Sequence, residues 1–482
     1  MSNTSTKLVS AFIGVILAAG TAYAGDSLYV GVAAIDITGE DAVILDPLRV
    51  KAMYFRQGAE EIAIVECDKI GVDQQMCWEV RQKAKAITGI PFANICIAAT
   101  HTHMADTSKP VAPAALQAIV HAKDNVKDAE LLAGIGADFR SAHNRRYWMK
   151  DGTVMFNPMF LNSDIVCTAG PIDPYVPIVL VKNASTGRPF ASITNYALHC
   201  DTVKQYGAKY RKDGIGSPNT VSADFPYWLE ESLQEEFGGD FFNLFTTGCC
   251  GNINHWDFSK PGPQSGHKTK TKQLGESLGT AFKKELDNLE PQSPMIAARS
   301  RIMQIPLQTY SEEDLRWARG ISQKQLSGKS EEPTQREKFL NSVKKRRILD
   351  LAEARKEGDT IALTVQAFRI SNDIAIVTLP GEMFVEHQLT IKNLSPFQNT
   401  IVIEMANASI SYVPNKTAFS QGGYEVVNSR LAPSGGEMMV EAAIEMLKEL
   451  KLDIMSVGST HDRAGIWENK AIDGKSTLKS SH

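Results

Sequence analysis

Three segments in the first hundred residues constrain the fold more than anything else in the chain. Residues 62–65 are a short apolar run of strand type. Residues 76–87 carry apolar and long side chains at helical spacing and stop at Gly89-Ile90-Pro91, and Ile95-Cys96-Ile97-Ala98-Ala99 is a second apolar run. Strand, helix and strand in that order read as a βαβ unit, in which a helix crosses over a sheet. The pattern continues, with strands predicted at 28–37, 176–181, 191–197, 241–246, 360–370 and 374–379, and helices at 224–237 and 269–288. Ser371-Asn372-Asp373 suits a hairpin turn between the last two strands. The expected class is α/β, with mixed sheets flanked by helices in one large domain, and 482 residues bury such a core without staples.

The ends of the chain read differently. Lys7 precedes the apolar run 8–19 and then Ala22-Tyr23-Ala24, the order of a secretory signal and its cleavage site. Residues 1–24 are expected to be removed, leaving a mature protein that starts at Gly25 in the periplasm or the medium. No later stretch reaches about 18 apolar residues, so no transmembrane span is expected. Seven cysteines remain, Cys67, Cys77, Cys96, Cys167, Cys200, Cys249 and Cys250, and their odd number excludes a fully paired disulfide framework. Residues 311–358, dense in Lys, Arg and Glu with Gly328 and Pro333 as breakers, read as solvated helices inserted at the surface of a 25–455 domain. Residues 456–482 read as a polar tail. With 51 basic against 55 acidic side chains and no basic block, nucleic acid is not an expected partner; a small-molecule or lipid substrate is.

Chemistry-bearing residues gather just past strand ends. His101-Thr102-His103 follows the 95–99 strand, and on an extended backbone residues i and i+2 face the same side. Both imidazoles then converge on one point, which suits a metal ligand with an acid/base partner or, equally, a structural pair. His199 lies just beyond an apolar strand, where open α/β sheets place their ligands. Glu382, in Leu379-Pro380-Gly381-Glu382, is expected in the first turn of a helix that begins there, as a functional carboxylate or as a cap. Cys249 and Cys250, with His255 nearby, read as buried thiols or a disulfide rather than as a nucleophile.

Taken in order, the segments 30–39 (Val-Gly-Val-Ala-Ala-Ile-Asp-Ile-Thr-Gly), Ala99-Thr100-His101-Thr102-His103, Asn144-Arg145, Asn195-Tyr196-Ala197-Leu198-His199, Leu379-Pro380-Gly381-Glu382 and Ser411-Tyr412-Val413 resemble the neutral, non-lysosomal ceramidases. The resemblance covers about residues 30–450. It implies a ceramidase-like catalytic domain with one zinc ion per chain, at which a metal-bound water attacks an amide carbonyl. Matched position by position, it makes His101, His199, Glu382 and Tyr412 the zinc ligands. Imidazoles and carboxylates are ordinary zinc ligands, whereas the Tyr412 phenol rests on the resemblance alone. The resemblance also places His103, Arg145 and Tyr424 in the pocket, His103 to shuttle a proton and the other two to donate hydrogen bonds to a developing oxyanion. Two departures bear on the substrate. Gly251-Asn252-Ile253-Asn254 stands where the ceramidases have Gly-Asp-Val-Ser, so Asn254 replaces the active-site serine. An amide is no nucleophile, but it can orient the substrate or polarise a carbonyl. Residues 451–482 also leave no room for the extra C-terminal β domain of full ceramidases. The expected function is a secreted zinc hydrolase, most simply an amidase acting on an N-acylated lipid or amino sugar. The alternatives are the same pocket acting on an ester or carbohydrate linkage, and a non-catalytic periplasmic metal- or ligand-binding protein.

Overall fold

Parallel strand pairs set the architecture. In the computed structural model, which describes residues 27–40, 42–105, 108–203, 220–262, 267–321 and 334–456, the strands form two principal sheets. The larger contains β1 (Leu28–Asp36), β2 (Arg49–Gln57), β3 (Glu60–Cys67), β4 (Ile95–Ala99), β5 (Lys127–Ala137), β6 (Tyr175–Asn183), β7 (Pro189–Tyr196) and β8 (Phe242–Thr247). Their spatial order is β8-β7-β6-β5-β1-β2-β3-β4, with Glu290–Gln292 pairing alongside β5. The second sheet runs β9 (Pro294–Pro306), β10 (Thr360–Ser371), β11 (Ile374–Thr378) and β12 (Asn399–Ile403) in sequential order. Most neighbours are antiparallel, including the predicted β10/β11 hairpin, but β3/β4, β7/β8 and β11/β12 are parallel. Parallel partners need a crossover, and helices Gln74–Thr88, Phe225–Phe237 and Val385–Leu394 supply the three. The first is the βαβ unit read from the sequence. Its helix starts where Asp73 accepts from the Met76 N–H and stops at Gly89, which takes φ 82°.

The two sheets pack face to face, and alternate residues of each strand enter different cores. Ile64, Cys96, Ala98 and Ile193 meet Phe368, Ile370, Ile376 and Ile401 between the sheets. Val65, Ile95, Ile97 and Ala99 turn the other way, onto Val80, Ala84, Ala115 and Ala118 of the helices Gln74–Thr88 and Val111–Asp124. Ile178, Leu180 and Tyr196 meet Leu229 and Leu278 of two further helices, while Val365 and Val377 of the second sheet are covered by Met439, Ala443 and Leu447 of Gly435–Ser456. Burial on both faces is why 95–99 reads as an unbroken apolar run rather than as an alternation. The fold is α/β, with mixed sheets flanked by helices.

The strand ends are tied together across the sheets. Thr247 Oγ1, at the end of β8, donates to Thr100 O at 2.9 Å, and the Glu404 N–H, just past β12, donates to Thr247 O at 2.9 Å. The carboxyl ends of β4, β8 and β12 therefore meet at one place, where ligands bind in open α/β sheets.

Three expectations change or lie outside the described residues. The 1–24 signal and the tail beyond residue 456 fall outside them. Within 311–358 the helices Glu312–Ala318 and Gln335–Ala354 both open with capping boxes, but the second is more than a solvated face. Arg347 donates to Asn428 Oδ1 at 2.8 Å, Arg430 grips both Asp350 oxygens at 2.6 and 2.8 Å, and Phe339 lies against Tyr424. All seven cysteines are free thiols, so Cys249 and Cys250 are the buried thiols and not the disulfide. Burial holds both well above the ordinary thiol range, which leaves no nucleophile there. No helix among the described residues is long and apolar enough to cross a membrane.

Candidate metal centre

His101, His199 and Glu382 are each delivered by a turn off a parallel strand. β4 ends at Ala99, and His101 takes φ 65°, a left-handed conformation uncommon for a residue with a Cβ. The rings of His101 and His103 do converge, with centroids 4.8 Å apart, but this turn brings them together and not the alternation of an extended strand. His101 Nδ1 donates to Ile70 O at 2.6 Å, which fixes the tautomer and leaves Nε2 facing inward. His199, just past β7, sets its ring 4.7 Å from that of His101 and 5.9 Å from that of His103. Ring nitrogens of the three lie within 4.8 Å of one another.

Glu382 is not in a helix. After β11 the chain turns at Gly381, φ 81°, and Glu382–Met383 forms a two-residue strand parallel to Tyr412–Val413. The helix starts only at Val385, with Phe384 as its N-cap. The strand register pairs Glu382 directly with Tyr412, so two candidate ligands from separate segments stand side by side. A Cβ on Gly381 would stand 2.8 Å from Ser411 O, so both the space and the positive φ require glycine.

Glu382 Oε2 lies 3.4 Å from His101 Nε2 and 3.4 Å from His199 Nε2. Both separations exceed a normal hydrogen bond. Glu382 Oε2 and His101 Nε2 are buried without a hydrogen-bond partner among the described residues, and His199 Nε2 has only the long Arg145 contact at 3.5 Å. Imidazole nitrogens and a carboxylate oxygen aimed at one point fit a divalent cation, and the donor set suits zinc. Burial alone would lower His101, but Glu382 reverses the sign and holds it above the usual imidazole value. At His199 burial prevails, helped by Arg145 and His101, and the ring is held below that value. Burial would raise Glu382, yet the two imidazoles keep it well below the carboxylate range. An ionised Glu382 and a neutral His199 are the states that ligation needs, whereas His101 has to give up a proton to the ion.

One wall of the centre is cationic and aromatic. Arg145 Nε donates to Glu425 Oε1 at 2.8 Å, and its guanidinium lies over the Tyr412 ring at 5.2 Å. Arg146 Nη1 takes the other Glu425 oxygen at 2.9 Å. Glu425 is 0% exposed, and although burial would raise its carboxyl, the two arginines hold it below the usual range. Arg145 Nη1 stands 3.5 Å from His199 Nε2, while Nη2 is buried without a hydrogen-bond partner. Tyr424 stacks with Phe156 and Phe339 at 4.9 and 5.6 Å and meets Tyr412 edge-on at 5.3 Å. Direct contacts thus join His101, His103, His199, Glu382, Arg145, Tyr412 and Tyr424.

Asn254 sits on the adjoining loop. Ile253–Asn254 pairs with His143–Asn144, immediately before Arg145. The Arg145 N–H donates to Asn252 O at 2.9 Å, and the Gly251 N–H donates to Met383 O at 2.8 Å. A Cβ at Gly251 would come 2.4 Å from Glu382 O, so only glycine lets this loop lie against the Glu382 strand.

Sequence reading passes over Glu404, Glu425 and Asp201. Glu404 carries the signal that marks His199, a polar group directly after an apolar strand. It is fully buried, accepts from the Met383 N–H at 2.7 Å and from Cys250 Sγ at 2.9 Å, and burial raises its pKa to about 8. An acid with a raised folded pKa holds its proton more tightly when folded. Its contribution to stability is therefore lost as pH rises from about 4.5 to about 8, by at most about 1.4 kcal/mol per unit. Glu404→Gln, which mimics the protonated carboxyl, removes that slope. Urea unfolding at pH 6 and pH 9 should show the variant gaining on wild type at the higher pH, and an unchanged difference would mean that Glu404 is ionised in the fold.

No protein-family profile matches the chain, and no curated protein does. Solved structures do. The neutral ceramidase from Pseudomonas aeruginosa superposes with a TM-score of 0.62 at 16% identity, over 89% of this chain and 75% of that one. A ceramidase complexed with C2 superposes with the same TM-score and identity, over 91% of this chain and 77% of that one. At this identity the likeness bears on the fold, and this chain has the α/β fold of neutral ceramidase.

Proposed function

We propose that this protein is a secreted zinc-dependent hydrolase that cleaves the C–N bond of an N-acylated lipid or amino sugar, with one zinc ion held by His101, His199, Glu382 and Tyr412. The main support is Glu382 Oε2, set 3.4 Å from two inward-facing imidazoles and without a hydrogen-bond partner. Zinc bound there supplies a Lewis acid that polarises a carbonyl and lowers the pKa of water to about 7. The remaining chemistry falls to the chain. His103, its ring against that of His101, is placed to move a proton at the attacking oxygen. Arg145 Nη2 offers a charged donor, and the Tyr424 hydroxyl a second, to the charge that develops on the carbonyl oxygen. The Tyr412, Tyr424, Phe156 and Phe339 rings form one aromatic cluster beside the centre, an apolar surface on which the acyl part of a substrate can lie. The signal-like N-terminus supports export, and N-terminal sequencing that finds Gly25 first would bear it out.

Elemental analysis together with amide, ester and glycoside substrates tests the reading. One zinc per chain and metal-dependent amide turnover are expected. Turnover of the ester or glycoside alone would move the same pocket to another bond, and bound metal with no turnover would leave a binding protein. No stoichiometric metal after zinc addition would refute the centre itself.

Asn254 should assist bond breaking without being essential to it. Its carboxamide oxygen already accepts from the Trp256 N–H at 3.2 Å, so its nitrogen is the end left to donate to the substrate. Loss of one such donor typically costs about 10² to 10³ in kcat, or about 2.7 to 4 kcal/mol. Steady-state kinetics of Asn254→Ala should therefore show slow, still metal-dependent turnover. Complete loss with zinc bound would assign the loop chemistry beyond hydrogen bonding, and full activity would place Asn254 outside the site.

A further inference from the structure

A histidine–carboxylate pair stands beside the metal centre and takes no part in the chemistry above. Asp201 follows His199 on the loop after β7, and His255 follows Asn254 on the loop after β8. His255 Nδ1 donates to Asp201 Oδ1 at 3.0 Å. The ring is 1% exposed, and its Nε2 is buried with no hydrogen-bond partner among the described residues. Both loops are stitched to the site by their backbones. The His103 N–H donates to Cys200 O at 3.0 Å, next to Asp201, and the loop that leads to His255 bonds to Arg145 through Asn252 and to the Glu382 strand through Gly251.

A purely structural pair would account for Nδ1 but not for Nε2. A buried ring nitrogen without a partner is unfavourable, and the described residues around it give it none. An imidazole held at Nδ1 by a carboxylate and open at Nε2 is the arrangement that moves protons in hydrolytic triads. Resting on the hydrolase reading above, we propose that His255 is the acid that protonates the leaving nitrogen, with Asp201 as its positioning residue.

The step balances with one water. The water oxygen bonds to the carbonyl carbon and its proton passes to His103. The C–N bond breaks, and the electron pair left on nitrogen takes the proton from His255 Nε2. The carboxylic acid and the amine depart, His103 returns its proton to solvent, and His255 regains one from solvent. Two titratable groups thus serve the two ends of the reaction. The loop in which Asn254 stands in place of serine then supplies both a hydrogen-bond donor and an acid.

Leaving-group dependence tests this role. His255→Asn retains a nitrogen for Asp201 but removes Nε2. On an N-acyl alkylamine, whose nitrogen must be protonated to leave, the variant should lose about 10² to 10⁴ in kcat. On the p-nitrophenyl ester of the same acyl group, whose phenolate leaves unprotonated, the loss should stay below about tenfold. Zinc content should match wild type. In the metal-free, ¹⁵N-labelled protein the His255 Nδ1–H should give a strongly deshielded ring N–H signal that disappears in Asp201→Asn, and Asp201→Asn should repeat the leaving-group pattern. Should His255→Asn fail to fold, His255→Gln carries the same comparison. Equal losses on both substrates, or no loss on the amide, overturn the role of His255 and leave the hydrolase reading standing provided wild-type amide turnover needs metal. Wild type that is inactive on the amide with zinc bound overturns the amidase reading, and this inference falls with it.

Discussion

His199→Ala should leave the purified protein without stoichiometric metal and lower turnover by more than about 10³-fold, since removing even a partner outside the ligand shell costs about 10- to 100-fold. The ring lies between two groups that depend on it. Its Nε2 stands 3.4 Å from Glu382 Oε2 and 3.5 Å from Arg145 Nη1. Without it Glu382 faces one imidazole instead of two, and part of what keeps its carboxyl ionised against burial is gone. Elemental analysis of the purified variant, before and after zinc is added, checks the metal, and kinetics on the amide checks the rate. His103→Ala should instead keep the metal and slow the reaction by about 10² to 10⁴, the usual worth of one acid/base group. Ring nitrogens of all three histidines fall within 4.8 Å of one another, so the rival outcome is specific. Zinc lost in His103→Ala but retained in His101→Ala would exchange the roles of those two residues.

Glu425→Gln should cost about 3 to 5 kcal/mol, the usual penalty for removing one partner from a buried charge cluster. Arg145 Nε and Arg146 Nη1 donate to its two oxygens at 2.8 and 2.9 Å, and all three residues are buried. Removing the carboxylate charge leaves two guanidinium groups facing a neutral amide. The pH dependence has a definite sign. Because the folded carboxyl is depressed, its stabilisation is complete above the ordinary glutamate value and is lost as pH falls through the folded value. Urea unfolding should therefore separate wild type from Glu425→Gln widely at neutral pH and less in acid. A difference below about 1 kcal/mol at neutral pH would show that water already compensates the arginines. Turnover should fall as well, because Glu425 holds the guanidinium that faces His199.

The same contacts explain why some elements could not be read in advance. β2 contains Arg49 and Lys51, which interrupt any apolar pattern, yet both pair with Glu230 of the helix Phe225–Phe237, Arg49 at 3.0 Å. Charges on a strand look like solvent-facing positions until the element that neutralises them is in place. β5 opens with Lys127, Asp128 and Glu130 and was equally unreadable as a strand, although Leu131 and Ala133 are buried. The 311–358 insertion reads as a charged surface because Arg347, Asp350 and Phe339 reveal their function only against Asn428, Arg430 and Tyr424.

What the sequence by itself determined was local in origin. Strands buried on both faces, such as Ile95–Ala99 and Ile374–Thr378, declare themselves through unbroken apolar runs, and the groups that follow them, His101, His199 and Glu382, stand at the ends where α/β sheets bind ligands. Tertiary structure alone decided which atoms meet. The left-handed turn at His101, the register that sets Glu382 beside Tyr412, the sharing of Glu425 by Arg145 and Arg146, and the pairing of Asp201 with His255 all depend on segments distant in the chain. Periodicity and spacing report only how a residue relates to its near neighbours. The geometry of this site is set by how two sheets and the loops at their carboxyl ends close on one another.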